Sequence, residues 1–176
     1  LKNWSKAVSF YQTAIKLGGE KAEYYLALAE IFTQQRVYEK AEQSYLKALE
    51  LRPDALEISL SLGKLYRSQG NLAGEEKIYR QALKYHPRNA ELRVYLGDIL
   101  FAQGKLKEAE KLLRQALQIE PRLYISRIKL AEVLGKQKRW KESIKELEIA
   151  TKYFPQDPRA YFFLGRLYAR QGNREK

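Results

Sequence analysis

Apolar and small residues recur along the chain in a pattern that repeats every 34 positions. Leu28, Leu62, Leu96, Leu130 and Leu164 are each followed at once by a small residue: Ala29, Gly63, Gly97, Ala131 and Gly165. Four residues beyond each leucine stand Phe32, Tyr66, Leu100, Leu134 and Tyr168. Spacings of three, four and seven place such residues on one face of a helix. A second group follows in each period: Ala41, Glu75, Ala109 and Ser143, then Tyr45, Tyr79, Leu113 and Leu147, then Ala48, Ala82, Ala116 and Ala150. It predicts a second amphipathic helix. Pro53, Pro87, Pro121 and Pro155 share the period, and each lacks the amide hydrogen needed to continue that helix. Gly70, Gly104 and Gly172 suit the left-handed residue that ends a first helix. Asn89 and Asp157 are expected N-caps, with Pro158 at the favoured first helical position.

Numbering each period so that its proline is position 32, units begin at Ala22, Leu56, Ala90, Tyr124 and Pro158. Trp4, Ala7, Tyr11 and Ala14 hold second-helix positions ahead of the first unit, with Gly19 in place of proline. The expected organisation is a single array. It comprises the second helix of a truncated repeat over 1–21, repeats over 22–55, 56–89, 90–123 and 124–157, and a lone first helix within 158–176. About eleven helices are expected. Three departures stand out. Glu75 occupies a close-contact position, with Gly63 or Gly74 offering room. Arg93 and Arg127 replace a large aromatic, their stems covering the interface. Arg36 and Lys138 replace the turn glycine.

This pattern of Leu-Gly/Ala, Tyr/Phe, Ala, Tyr/Leu, Ala and Pro at period 34 resembles the tetratricopeptide repeat (TPR) family. The resemblance runs the length of the chain. It implies an all-α fold, a right-handed solenoid of antiparallel helix pairs, and a fragment of a longer array. It also implies that first helices line a concave groove through positions 2, 5, 9, 12 and 13. Carried over, the groove residues are Leu60, Lys64, Arg67, Val94, Phe101, Ile128, Lys136, Phe162, Arg166 and Arg170, with Tyr95 and Lys129 adjacent to them. Position 5 is apolar in every unit (Leu26, Leu60, Val94, Ile128, Phe162), giving a strip that an extended peptide or amphipathic helix could use. Tyr95 and Phe101 are the favoured anchors. A TPR subclass clamps chaperone C-termini with lysine, asparagine and arginine; Leu26, Glu30, Ser61, Glu91 and Tyr95 stand at those positions, which disfavours that role.

Charge sharpens the picture. The net charge is +12. Residues 22–55 carry four basic and six acidic side chains, whereas residues 124–176 carry thirteen and six. The groove should run from acidic at Glu23, Glu30 and Glu57 to basic at Lys136, Arg159, Arg166 and Arg170, and should orient a partner's acidic segment. The chain has no cysteine and one histidine, His86, read as a surface residue. These exclude a disulfide framework, a thiol nucleophile and the usual zinc or serine–histidine sites. No cofactor is expected, and no apolar run approaches the roughly 18 residues that cross a bilayer. Composition fits cytoplasm and periplasm alike.

Three functions follow. The first is a non-catalytic scaffold binding a protein or peptide partner, with further contacts through exposed terminal helices. The second is a periplasmic module of a polysaccharide or pilus export system, binding an anionic polymer or partner. The third is RNA binding, suggested by Arg139-Trp140 and Lys152-Tyr153 but opposed by the acidic early groove and by Trp140 at a packing position.

Overall fold

The computed structural model describes residues 3–172, and every regular element among them is an α-helix. In chain order these are α1 (Trp4–Gly18), α2 (Ala22–Gln34), α3 (Tyr38–Leu51), α4 (Leu56–Ser68) and α5 (Leu72–Tyr85). They continue with α6 (Ala90–Ala102), α7 (Leu106–Ile119), α8 (Tyr124–Lys136), α9 (Trp140–Tyr153) and α10 (Pro158–Gly172). Among the described residues ten helices replace the expected eleven. One leading helix, four pairs and one closing helix use every periodic position, so no segment remains for another. Residues 1–2 and 173–176, which the expected first and last segments include, lie outside the described residues.

The helix ends show why the chain breaks where it does. Each periodic proline follows a C-cap residue, Arg52, His86, Glu120 or Phe154. Asn71, Asn89 and Asp157 accept backbone N–H bonds from Gly74, Leu92 and Arg159 at 2.9, 2.8 and 3.0 Å. Each answers an amide that the first helical turn leaves without a partner. Between paired helices, Gly70 and Gly104 adopt positive φ, and Arg36 and Lys138 adopt the same conformation at 60° and 64°. Gly172 is the final residue of α10.

Contacts group the chain into two units, Leu1–Pro87 and Arg88–Lys176. In the N-terminal unit α1 to α5 pack in chain order. Leu28, Ala29, Ala41, Tyr45, Ala48 and Leu62 are buried between them. Gly63 lets α5 approach closely, because the Tyr79 ring occupies the space where a Cβ would stand. Gly74 gives similar room beside the Tyr66 ring. Glu75 is fully buried, and its Oε1 accepts bonds from Arg67 Nε and Nη2 at 2.7 and 2.6 Å. His86 Nε2 lies 2.7 Å from the Asp54 carbonyl, tying two inter-repeat turns together; the ring is half-buried, less open than expected.

In the C-terminal unit α6 to α10 pack in the same sequential way, and α6 also touches α8. Gly97 faces Leu113, and a Cβ there would lie 2.9 Å from Leu113 Cγ. Ser143 stands where Ala41 and Ala109 stand in other repeats, and its hydroxyl donates to the Ala131 carbonyl at 2.7 Å. Arg127 is largely buried. It donates to Glu146 at 2.6 Å and to the Pro121 carbonyl at 2.7 Å.

Candidate binding cleft

Four helices of the C-terminal unit enclose a cleft of 520 Å³. The last turn of α6 supplies Phe101; α8 supplies Lys129, Glu132, Gly135 and Lys136; α9 supplies Trp140; α10 supplies Phe163, Arg166, Leu167 and Arg170. Helical spacing explains the last group, since Arg166, Leu167 and Arg170 lie three, four and seven residues beyond Phe163, on one face. A second hollow of 370 Å³ shares Lys129, Glu132 and Phe163 and reaches Ile128 and Phe162.

The cations here fall into two classes. Lys129 is already answered, 2.8 Å from Asp98 and 3.3 Å from Glu132. Burial pulls its pKa down, but the hydrogen bonds and charges of these two carboxylates outweigh that and hold it above the ordinary lysine value. Arg159, expected in the basic groove, bonds both oxygens of Asp157 and lies over the Tyr124 ring at 4.9 Å. Arg159 first of all, through its side-chain bond, holds Asp157 well below the usual carboxylate range. By contrast, no carboxylate of the described residues lies within ion-pairing distance of Lys136, Arg166 or Arg170. Arg170 sits 4.7 Å over the Trp140 ring and Arg166 5.7 Å from the Phe162 ring, so both guanidinium groups rest on aromatic faces.

Seven of the twelve expected residues meet here: Phe101, Ile128, Lys129, Lys136, Phe162, Arg166 and Arg170. Val94 and Tyr95 line neither hollow. Position 5 does not form an exposed strip in this unit, because neighbouring helices bury Val94 at 5% and Ile128 at 3% while Phe162 stays 60% exposed. In the N-terminal unit, Leu60 is half-buried and Lys64 exposed, and the Arg67 guanidinium is held by buried Glu75. A cleft of 620 Å³ there is lined by Trp4, Ala7, Tyr11, Glu30, Thr33, Gln34 and Ser61 among others, and Glu30 is the one charged lining residue among the described residues. Trp140 is the functional candidate that sequence reasoning missed. Its place at a packing position hid the fact that the ring also lines the cleft, under the Arg170 guanidinium.

Among the described residues no group of three histidine, cysteine, aspartate or glutamate side chains could hold a metal ion. No helix among them is long and apolar enough to cross a membrane. The helical hairpins and their 34-residue register define a helical-repeat protein. Tetratricopeptide-repeat family models match residues 1–55, 34–83 and 60–123, and a further one matches 100–161. The chain belongs to the tetratricopeptide repeat family, and its fold is the all-α TPR solenoid of helix pairs. No curated protein sequence matches it.

Among solved structures, a MamA protein is similar at TM-score 0.78 and 23% identity, covering 89% of this chain and 86% of that one. YrrB, described as a TPR protein with an unusual peptide-binding site, is similar at 0.73 and 24%, covering 94% and 85%. PilF of Pseudomonas aeruginosa is similar at 0.70 and 20%, covering 98% and 72%. These likenesses establish the fold. A TPR protein of this kind is built as an interaction scaffold, and the family is generally non-catalytic.

Proposed function

We propose that this chain is a scaffold that captures an acidic segment of a protein partner, as a peptide or a helix, in the cleft between α6, α8, α9 and α10. One observation carries the reading. Lys136, Arg166 and Arg170 surround an aromatic floor with no carboxylate of the described residues in ion-pairing range. Apolar side chains of the partner would seat against Phe101, Phe163 and Trp140, while its carboxylates meet the three cations. YrrB, a TPR protein with a peptide-binding site, gives the same fold a comparable use.

An anionic polymer draws on the same cations but needs a track of them. Among the described residues the N-terminal cleft offers Glu30 and no cation, which favours a short acidic segment over a polysaccharide or RNA. The test is fluorescence anisotropy with a labelled peptide of about 15 residues, Asp and Glu flanking a Leu-Phe pair. Binding should weaken roughly tenfold between about 50 and about 500 mM salt, and Arg166→Glu with Arg170→Glu should abolish it. Equal binding by the double variant would sink the proposal, as would a preference for heparin or single-stranded RNA over the peptide.

A further inference from the structure

The cleft is not uniformly basic. Asp98, Glu132 and Arg166 hold position 9 of α6, α8 and α10, the first helices of the C-terminal unit. α6 touches α8, and Ile128 and Ala131 of α8 pack with Phe163, Leu164 and Leu167 of α10. Position 9 therefore forms a row across the three helices, reading acid, acid, base. Packed helix axes stand about 8–10 Å apart, so one step along the row spans about three residues of extended chain.

The acidic end of the row holds more negative charge than its surroundings cancel. Lys129 Nζ lies 2.8 Å from Asp98 and 3.3 Å from Glu132. Among the described residues it is the one cation within ion-pairing distance of either, so two carboxylates share a single ammonium. Both remain open to a ligand, with side chains 31% and 23% exposed. Glu132 lines the cleft and the smaller hollow beside it, and is the one acidic residue of the described residues to line either.

The basic end is unanswered in the opposite sense. Arg166 stands level with Glu132 on the next first helix, yet its guanidinium lies against the Phe162 ring and no ion pair joins the two. Lys136 and Arg170 follow one turn further on, at position 13 of α8 and α10. Between the two ends, Phe163 lines both hollows. Charges of both signs thus border one apolar site without neutralising each other.

We propose, building on peptide capture by this cleft, that the site reads charge order in its partner. The segment it selects is extended. A lysine or arginine meets Asp98 and Glu132, apolar residues cover Phe163, and aspartate or glutamate about three residues away meets Arg166 and Arg170. A segment that is acidic throughout still binds, but its far end is repelled by the excess charge beside Lys129.

Three labelled peptides of one length and one composition test this by anisotropy. The first carries lysines before a Leu-Phe pair and acids after it, the second has the reverse order, and the third alternates the charges. Net charge is the same in all three, so only order differs. One of the two segregated peptides, chosen by chain direction, should bind roughly tenfold more tightly than the alternating one. Asp98→Asn with Glu132→Gln should erase that advantage and tighten binding of the all-acidic peptide several-fold. The amide oxygens can still accept from Lys129, so the circular-dichroism melt of this variant should stay close to the parent's. Equal binding of all three peptides, with the all-acidic peptide still captured and still lost on Arg166→Glu with Arg170→Glu, would overturn charge order and leave peptide capture standing. A double amide variant that weakens every peptide alike would do the same. Failure of every peptide to bind, the all-acidic one included, would overturn both.

Discussion

Arg36 and Lys138 hold a backbone that Gly70 and Gly104 hold elsewhere in the repeat. A left-handed residue with a Cβ is strained by about 1–2 kcal/mol, and part of that is offset because glycine loses more entropy on folding. Arg36→Gly and Lys138→Gly should therefore each stabilise the protein by about 0.5–1 kcal/mol in urea unfolding. The Arg67–Glu75 pair behaves differently. Arg67→Met strips two donors from a fully buried carboxylate and should destabilise by about 2 kcal/mol, reduced from the fully buried case because the arginine is half exposed. Adding Glu75→Ala, the alanine the other repeats favour, should recover most of that loss. A double variant no more stable than the single one would show that the pair is not the source. The sequence marked Glu75 as anomalous, yet Arg67 eight residues earlier read as a groove residue. The pairing depends on α4 and α5 facing each other, which periodicity alone does not specify side chain by side chain.

At the level of helices, one repeat position gives opposite outcomes. Gly97→Ala drives a Cβ against Leu113 and should destabilise by about 1–3 kcal/mol. A Cβ at Gly165 meets none of the described residues within 4 Å, so Gly165→Ala should instead stabilise α10 by about 0.5–1 kcal/mol through helix propensity. Equal effects at the two sites would contradict the packing described for α6 and α7. Between α7 and α9, Arg139 reaches Glu110 at 2.6 Å and Glu142 at 2.6 Å, and Arg114 reaches Glu110 at 2.9 Å. Burial works to raise the pKa of Glu110, but bonds from Arg114, Arg139 and Gln137 outweigh it and hold the carboxyl below its ordinary 4.5. A lowered folded pKa adds stability that is present above 4.5 and lost as pH falls through the lowered value. Glu110→Gln should cost about 1 kcal/mol at pH 7 and flatten the acid limb of the stability profile. An unchanged profile would mean that the network contributes nothing.

For the whole molecule, the helices were legible because the period of 34 fixes leucines, small residues and prolines in the same order each time. The binding surface was legible only in part. Lys129, Arg159 and Arg67 look like Lys136, Arg166 and Arg170 in one dimension. Only folding brings Asp98, Asp157 and Glu75 against the first three, and sets Arg166 and Arg170 over aromatic rings. Val94 and Ile128 share a register with Phe162, but neighbouring helices cover them. Trp140 read as packing because its position usually is.

Trp140 also provides the most direct measurement. A Trp4→Phe variant leaves it as the single tryptophan, under the Arg170 guanidinium at the cleft wall. Titration with the acidic Leu-Phe peptide should change its emission along a saturating curve that matches the anisotropy isotherm. Arg166→Glu with Arg170→Glu should remove both signals together. Peptide binding that saturates by anisotropy while Trp140 emission stays constant would place the partner elsewhere and contradict the account.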